Sequence, residues 1–183
     1  FVLTGVTTGE LYQPVGTDSH PLTLPIDGQG WEISIDLQNN SQLIAGKYSG
    51  VVGYTQSGIS NLRVVTIPGN SSTAGYSIES SGATYAGVLA GRVDGDMLNC
   101  SVELVKTTVI NTNTSATNAM YIGGLVGYCN GNILNSAVYE GSSAASASVI
   151  SFSKASAGSG IGGLAGGVAS GKTVGNCYVQ LSK

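Results

Sequence analysis

Charged side chains are scarce in this sequence. Asp, Glu, Lys and Arg make up only 9% of its 183 residues, against roughly 25% in ordinary soluble domains. Seven basic and ten acidic residues give a net charge of -3, and the basic residues are not clustered anywhere. Proteins that bind nucleic acid need clustered basic side chains to contact phosphate groups. Nucleic acid is therefore excluded as a partner.

Long apolar runs and helical patterns are missing as well. No stretch reaches the roughly eighteen apolar residues that a membrane-spanning helix requires, so we expect no membrane span. Apolar residues at helical spacing are interrupted by glycine or by β-branched residues throughout. The chain holds 28 glycines and 42% hydrophobic residues, which is enough apolar material for the core of a single all-β domain.

Side chains that could carry catalysis are few. The one histidine, His20, leaves little acid–base chemistry at neutral pH, and its neighbours Asp18 and Ser19 are adjacent in sequence, as members of a catalytic triad rarely are. The ten acidic residues are scattered, whereas a polysaccharide-cleaving enzyme needs several clustered carboxylates. We predict no enzymatic activity and assign no catalytic, cofactor-binding or metal-binding residue.

The sequence does contain an internal repeat. The pattern of Ile122 to Tyr139 recurs at Ala86 to Leu104, at Ile161 to Leu181 and, more weakly, at Ser49 to Val65. Four columns can be aligned: a first glycine at Gly53, Gly91, Gly127 and Gly166, a second at Gly58, Gly95, Gly131 and Gly171, an apolar residue at Ile59, Met97, Ile133 and Val174, and an asparagine at Asn61, Asn99, Asn135 and Asn176. The first glycines are 38, 36 and 39 residues apart, a spacing typical of a solenoid.

Each column has a structural meaning. The second glycine predicts a turn that needs positive φ or a close backbone approach, and asparagine tolerates the left-handed conformation at a corner and can bond its own backbone there. After the asparagine, Cys100, Val102 and Leu104 alternate with polar residues, as in a half-buried strand. We predict an all-β parallel solenoid (β-helix) of about four coils over residues 31–183, with three strands and three corners per coil. Its inward ladder should include Leu89, Leu125 and Leu164.

Residues 1–30 do not fit the repeat and are predicted to form an N-terminal cap or arm, with short strands near Phe1 to Thr4 and Pro21 to Ile26. From Trp31, the alternation with Ile33, Ile35 and Leu37 predicts a strand on the third face of the first coil. Equivalent third-face strands are expected at Tyr76 to Glu79, Lys106 to Asn111 and Ser148 to Phe152. The last of these lies in the Ser- and Ala-rich region 142–160, which we predict to contain a strand rather than disorder.

The turn sequences Gly124-Leu125-Val126-Gly127 and Gly163-Leu164-Ala165-Gly166, with Gly87 to Gly91 as a variant, resemble the GLUG repeat, which is named for its Gly-Leu-x-Gly core. The resemblance covers roughly residues 45–183. It implies a parallel β-helix in an extracellular or cell-surface protein of bacteria or protists, often adhesin-like, and carries over no catalytic residue. The copy at Ser49 to Val65 departs from the pattern.

Three further patterns suggest ligand sites and are better explained by the repeat. Gly166 to Thr173 matches a phosphate-binding loop, and Gly158 to Gly163 matches a dinucleotide-binding fingerprint. Both ligand classes require a following helix, which neither sequence predicts. Asp94 and Asp96 could offer oxygen ligands to Ca²⁺, but the neighbouring coils do not complete such a site. A solvated turn is favoured.

Cysteines and sequons also bear on the compartment. Cys100 and Cys177 share a column two coils apart, roughly 9–10 Å at the rung spacing of parallel strands, which exceeds the limit of about 7 Å between Cα atoms in a disulfide. Both are predicted to be core residues. Cys129 aligns with Val93 and is also expected inside, although a pair with Cys100 stays open.

Four Asn-x-Ser/Thr sequons would be used only in a host that glycosylates; they begin at Asn39, Asn70, Asn99 and Asn113.

Two functions remain open. The first is an extracellular structural subunit that joins copies of itself head to tail, as a filament or surface layer requires. Because the sequence stops soon after the Cys177 to Leu181 strand, we expect the arm of one copy to cover the final coil of the next, unless the chain is cut from a longer repeat protein. The alternative is an adhesin or stalk segment that binds carbohydrate or protein through a solenoid face, which clustered exposed aromatics would favour. Ice binding by the Thr-rich stretch 107–117 is weaker, since adjacent coils do not repeat its spacing.

Overall fold

A computed structural model of the chain describes residues 14–36, 47–67, 76–80, 84–105, 107–111, 118–141, 149–152 and 156–181. Over these residues the chain is a parallel β-solenoid, as the repeat predicts, and every strand pair is parallel. The same residues include no helix and therefore no helical segment able to cross a membrane. The strand predicted near Phe1 and the position of Leu37 lie outside the described residues.

The strands fall into successive rungs, the first of which belongs to the N-terminal part of the chain. It contains β1 (Ile26–Asp27) and β2 (Glu32–Asp36). The next coil contains β3 (Tyr48–Ser49), β4 (Val52–Thr55), β5 (Ile59–Ser60), β6 (Arg63–Ile67) and β7 (Tyr76–Ser80). The two coils after that repeat all five strands: β8 (Tyr85–Gly87), β9 (Ala90–Val93), β10 (Met97–Leu98), β11 (Ser101–Leu104) and β12 (Thr107–Asn111), then β13 (Tyr121–Gly123), β14 (Val126–Cys129), β15 (Ile133–Leu134), β16 (Ala137–Glu140) and β17 (Val149–Phe152). The last described coil contains β18 (Gly160–Gly162), β19 (Ala165–Val168), β20 (Val174–Gly175) and β21 (Tyr178–Gln180).

Equivalent strands stack into five sheets along the axis of the solenoid. The prediction of three strands per coil is wrong. A two-residue strand forms between the second glycine and the asparagine, and two strands precede the second glycine, the later of which contains the first glycine. The third-face strands β7, β12 and β17 are confirmed, including the strand in the Ser- and Ala-rich region. The placement of β2 on that face is wrong, because Glu32–Asp36 pairs with Arg63–Ile67 in the sheet that follows the asparagine corner. The arm supplies β1 and two isolated bridges, Val15 to Val52 and Leu22 to Thr55.

The core is a set of apolar columns that run parallel to the axis. Leu89 and Leu125 are fully buried, and Leu164 packs against them one rung further on. The main chain links the three in order, since the Leu89 N–H donates to the Leu125 carbonyl at 3.0 Å and the Leu125 N–H to the Leu164 carbonyl at 2.9 Å. The alternation after the asparagine is confirmed by the burial of Cys100, Val102 and Leu104.

The first glycine column marks a close approach between backbones. A Cβ on Gly127 would lie 2.5 Å from the backbone nitrogen of Ala86 and 2.6 Å from the carbonyl oxygen of Gly91. Real Cβ atoms do not come this close to backbone atoms, so a larger residue would push two rungs apart. In the second glycine column only Gly171 has a positive φ, of 78°, and Gly131 is required instead because a Cβ would meet the Gly95 carbonyl oxygen at 2.2 Å.

The asparagine column turns the corner in the left-handed conformation, as predicted. Its φ angles all lie between 51° and 54°, at Asn61, Asn99, Asn135 and Asn176. The expected bond to the residue's own backbone is replaced in two rungs by a ladder along the axis. The Asn99 amide donates to the Asn61 side-chain oxygen at 3.1 Å, and the Asn61 amide donates to the Asp27 carboxylate at 3.0 Å.

We expect replacement of Leu125 by alanine to lower the free energy of unfolding by about 2–5 kcal/mol, because Leu125 is fully buried between coils that cannot collapse onto a cavity. A denaturant titration measures this change. Leu24, which is 77% exposed, is the matched control, and its replacement by alanine should cost less than about 0.5 kcal/mol. Equal losses for the two variants would contradict the assigned register.

Candidate functional site: end faces and outer columns

The last described rung presents core positions to solvent. Ile161, Val174 and Val179 are 47%, 50% and 44% exposed. The residues directly beneath them in the preceding coil, Ile122, Ile133 and Val138, are fully buried. We call the surface formed by Ile161, Val174, Tyr178 and Val179 the tail face. Ile161, Val174 and Val179 have side chains of the interior, and no rung covers them among the described residues.

The first rung forms the opposite end, which we call the head face. Val15 aligns with the buried Val52 and is itself 50% exposed. Ile26 and Ile33 are only partly buried, although their partners one rung on, Ile59 and Val64, are fully buried. Among residues 14–36 and the coils that follow, as far as the structure describes them, these core columns have no outer neighbour at the head face.

The two faces belong to the same sheets. One five-stranded sheet runs from β1 at the head to β20 at the tail, and another from β2 to β21. All strands of these two sheets are parallel and stacked in register. The tail edges, β20 and β21, therefore present backbone N–H and C=O groups in the pattern with which a parallel strand such as β1 or β2 of another copy could pair. Open strand edges of this kind are templates for pairing with another chain.

A column of tyrosines runs along the outside of the solenoid. The rings of Tyr48, Tyr85 and Tyr121 stack with centroids 5.4 and 5.7 Å apart and planes within 12°. Their spacing of 37 and 36 residues is visible in the sequence but lies outside the four aligned columns, so the sequence analysis missed it. In the last coil the column ends at Gly160, which pairs with Tyr121.

A second outer column faces the first across the corner that separates β8 from β9 and its equivalents in the other coils. It consists of Tyr54, Arg92 and Tyr128, and the Arg92 guanidinium lies 5.0 Å from the Tyr54 ring centroid. The Tyr128 ring meets Tyr121 edge-on at 5.0 Å. Because stacked rings cover one another's faces, the two columns mainly fill the concave corner. We assign them to packing between rungs.

Asp18 fastens the arm to the head end of the tyrosine column. Its carboxylate accepts hydrogen bonds from the Lys47 ammonium at 2.9 Å and from the Tyr48 hydroxyl. The bond from Lys47, followed by that from Tyr48, lowers the pKa of Asp18. Burial, followed by the bond to Asp18, raises the pKa of Tyr48 to about 12. The phenol therefore stays protonated and able to donate over the whole physiological range.

The asparagine corner carries a groove next to the first rung. Asp27 aligns with Ser60, and Glu32 aligns with Arg63. Four residues lie between the aligned positions in the first rung, but only two lie between them in the next rung. The extra residues bulge outward with Gln29 and Gly30 in left-handed conformations. A groove of about 370 Å³ lies beside this bulge, and its walls are formed by Gln29, Gly30, Asn61, Leu62, Arg63, Asn99 and Ser101. We call it the corner groove; nothing in the sequence predicted it.

The two glycine-rich patterns are built into the solenoid. Gly166 to Thr173 runs from β19 through a turn to the start of β20, and Gly158 to Gly163 leads into β18. Neither is followed by a helix, so neither has the amide-lined helix terminus that would hold a phosphate. Both therefore belong to the repeat, as the sequence analysis predicted.

The polar residues considered as chemical sites are hydrogen-bonded to other residues of the chain. The Ser19 hydroxyl lies 2.9 Å from Nδ1 of the exposed His20. Asp94 accepts bonds from Arg92 and from the Tyr54 hydroxyl, at 2.8 and 2.6 Å, while Asp96 accepts from the backbone and side chain of Asn132. The described residues hold no cluster of three His, Cys, Asp or Glu side chains suited to a metal ion.

All three cysteines are free thiols. The predicted column is confirmed, since the Cys100 N–H donates to the Ser136 hydroxyl at 3.1 Å and the Ser136 N–H to the Cys177 sulfur at 3.5 Å. Cys129 pairs with Val93 as expected, which removes the alternative of a bond to Cys100. Burial raises the pKa of the Cys100 thiol and brings that of Cys129 to about 11. Protonated, buried thiols are poor nucleophiles.

Of the four sequons, only Asn99 lies among the described residues. Its amide is part of the corner ladder, and Cys100 at the middle sequon position is buried. Asn39, Asn70 and Asn113 fall outside the described residues, as does most of the Thr-rich stretch beyond Asn111.

We expect the arm to loosen in acid. The pKa of Asp18 is depressed in the folded chain, so its contribution is complete above the ordinary carboxyl value of about 3.9. This contribution is lost as the pH falls through the lowered folded value. The Val15 and Leu22 amides are bonded to the carbonyls of Val51 and Tyr54. Their protection against hydrogen exchange, taken relative to the intrinsic rate at each pH, should fall over this range before the protection of Leu125 does.

The matched variant is Asp18→Asn, which cannot titrate at this position. It should show faster exchange at Val15 and Leu22 already at neutral pH and little further change in acid. If Asp18→Asn responded to acid as strongly as the parent chain, the attachment of the arm would not depend on this carboxylate.

The chain was also compared with known proteins at three levels. It matches no protein-family model, no curated protein and no solved structure. The likeness of its turns to the GLUG repeat therefore stays a resemblance, and what the chain does has to be argued from its own surfaces.

Proposed function

We propose that the chain is a non-catalytic structural subunit of the extracellular space or cell surface that associates head to tail with copies of itself. The supporting observation is that core columns are half-exposed at both ends while their neighbours one rung inward are buried, as Val179 over Val138 illustrates. The extracellular placement rests on the likeness to GLUG repeats.

A second copy is the occupant that suits the tail face. Its β1 and β2 are strands of the sheets that end in β20 and β21, and they run in the same direction. Adding a copy along the axis would extend both sheets by backbone hydrogen bonds, as in strand addition to an open edge. It would also place Val15 and its apolar neighbours over the exposed side chains of the tail. The last described coil is nearly uncharged, with Lys172 as its one charged residue, so hydrophobic burial and backbone pairing dominate the association.

The contact is heterologous, because the surface given by one copy differs from the surface received by the next. Such a contact propagates into an open fibre unless a rotation closes it into a ring. The self-complementary patch required for a two-fold dimer is not part of this arrangement. The size distribution in solution should therefore grow stepwise with protein concentration.

We expect light scattering of the purified chain at rising concentration to show a mass that increases beyond the dimer. Val179→Asp should block the tail face, and Val15→Asp should block the head face, because each buries a charge at the joint. Either variant alone should remain monomeric. An equimolar mixture should form dimers and stop there, since each dimer joins one intact head to one intact tail.

Circular dichroism and a denaturation midpoint close to that of the parent establish that the variants fold, which their exposed positions favour. Ile122→Asp, at a buried position on the same column as Ile161, shows what loss of the fold looks like in the same assay. A parent chain that stays monomeric at every concentration refutes the proposal, as does a mixture of blocked variants that does not dimerise.

A further inference from the structure

We infer that the corner groove is a binding site for a neutral carbohydrate, with Trp31 as the surface on which a sugar ring stacks. Groove volume, an exposed indole, side-chain amides and the local charge all point to this ligand class. The inference is independent of self-association and gives the carbohydrate-binding alternative a defined location.

The groove walls carry groups that can hydrogen-bond to a sugar. Gln29, Asn61 and Asn99 supply side-chain amides, each able to donate and accept hydrogen bonds, and Ser101 adds a hydroxyl. Vicinal hydroxyls of a sugar are donors and acceptors at once and match such groups. The volume of about 370 Å³ lies within the usual range for small-ligand sites and suits one or two sugar rings.

Trp31 is the one tryptophan in the sequence. It follows Gly30 directly, its carbonyl accepts from the Arg63 N–H at 3.3 Å, and its side chain is 67% exposed. Its neighbours in the backbone column, Leu62, Cys100 and Ser136, are buried. Trp31 departs from this buried column: the bulge of the first rung leaves a large aromatic side chain in solvent, one residue after Gly30 of the groove wall. Amphipathic rings placed this way are enriched at binding surfaces.

The corner beside the groove carries a net negative charge. Arg63 lies between Glu32 and Glu103, with Nη1 bonded to Glu32 at 2.9 Å and Nη2 to Glu103. With Asp27 bonded to Asn61 in the same corner, this corner holds three carboxylates and one guanidinium. This surplus of negative charge disfavours phosphate and acidic sugars and leaves neutral, hydroxyl-rich ligands.

Arg63 also has an unused donor. Its Nε is buried and has no hydrogen-bond partner among the described residues. A buried donor without an acceptor costs about 1–3 kcal/mol. A ligand hydroxyl that reached this nitrogen from the groove would satisfy it.

The experiment uses the sole tryptophan as its reporter. The intact chain is titrated with neutral hexasaccharides of glucose, mannose and N-acetylglucosamine, and with hexagalacturonate as the acidic comparison. At least one neutral sugar should shift the tryptophan emission to shorter wavelength and protect it from acrylamide, with a dissociation constant on the order of 1 mM or tighter. Hexagalacturonate should bind at least tenfold more weakly.

Calorimetry on variants then locates the site. Trp31→Ala and Asn99→Gly should each weaken binding about tenfold, equivalent to about 1.4 kcal/mol. The matched controls are Leu24→Ala, another exposed apolar residue of the first rung, and Asn135→Gly, the same corner position one coil away from the groove. Glycine preserves the left-handed corner in both asparagine variants. The controls should bind like the parent.

Each contrary result decides against the site. Absence of a fluorescence response to every neutral sugar at millimolar concentration, or unchanged binding by Trp31→Ala, overturns the inference. A shift that follows protein concentration in the absence of sugar would assign Trp31 to contacts between copies instead. Repeating the titration with Val179→Asp, which is expected to be monomeric, keeps this test separate from self-association.

Discussion

The structure depends on how closely successive rungs can approach each other at the first glycine column, which lies inside β4, β9, β14 and β19. Strand pairing and apolar columns extend along the axis only if each coil repeats the path of the one before it. At Gly91, Gly127 and Gly166 a side chain would meet backbone atoms within 3 Å, so the spacing of the whole stack is limited at this column. The asparagine corner is less restrictive, because left-handed φ can also be adopted by glycine.

Much of the fold could be predicted because its columns depend on local chemistry. Each rung repeats a glycine at the crowded strand position, an asparagine at the left-handed corner and an apolar residue in the core. This repetition makes the three columns visible in the sequence. The division of each coil into five strands could not be predicted from these columns. A two-residue strand such as Ile59–Ser60 shows no alternation, and it becomes visible only through its parallel partners.

The errors share a physical origin. Alternation from Trp31 to Ile35 fits either outer sheet, and only pairing with Arg63–Ile67 decides between them. The same pairing creates the bulge that exposes Trp31 and opens the corner groove, so neither could be predicted before the register was known. The tyrosine column was accessible from its spacing alone, but aromatic residues on an outer face do not carry the glycine and asparagine signals from which the repeat was recognised. The exposed final coil was expected from the sequence, whereas the half-exposed core columns of the first rung were not.

Parallel pairing has a consequence for any material made from this chain. Every strand points the same way around the coil, and the ladder amides of Asn99 and Asn61 both donate toward the first rung. The solenoid is therefore polar along its axis, and a rod of copies joined head to tail would be polar in the same way. One tip of such a rod would offer a proline-containing, acidic arm, and the other a nearly uncharged apolar rung. The two tips would capture new copies at different rates and could be anchored or blocked separately, so that growth could be controlled from one end alone.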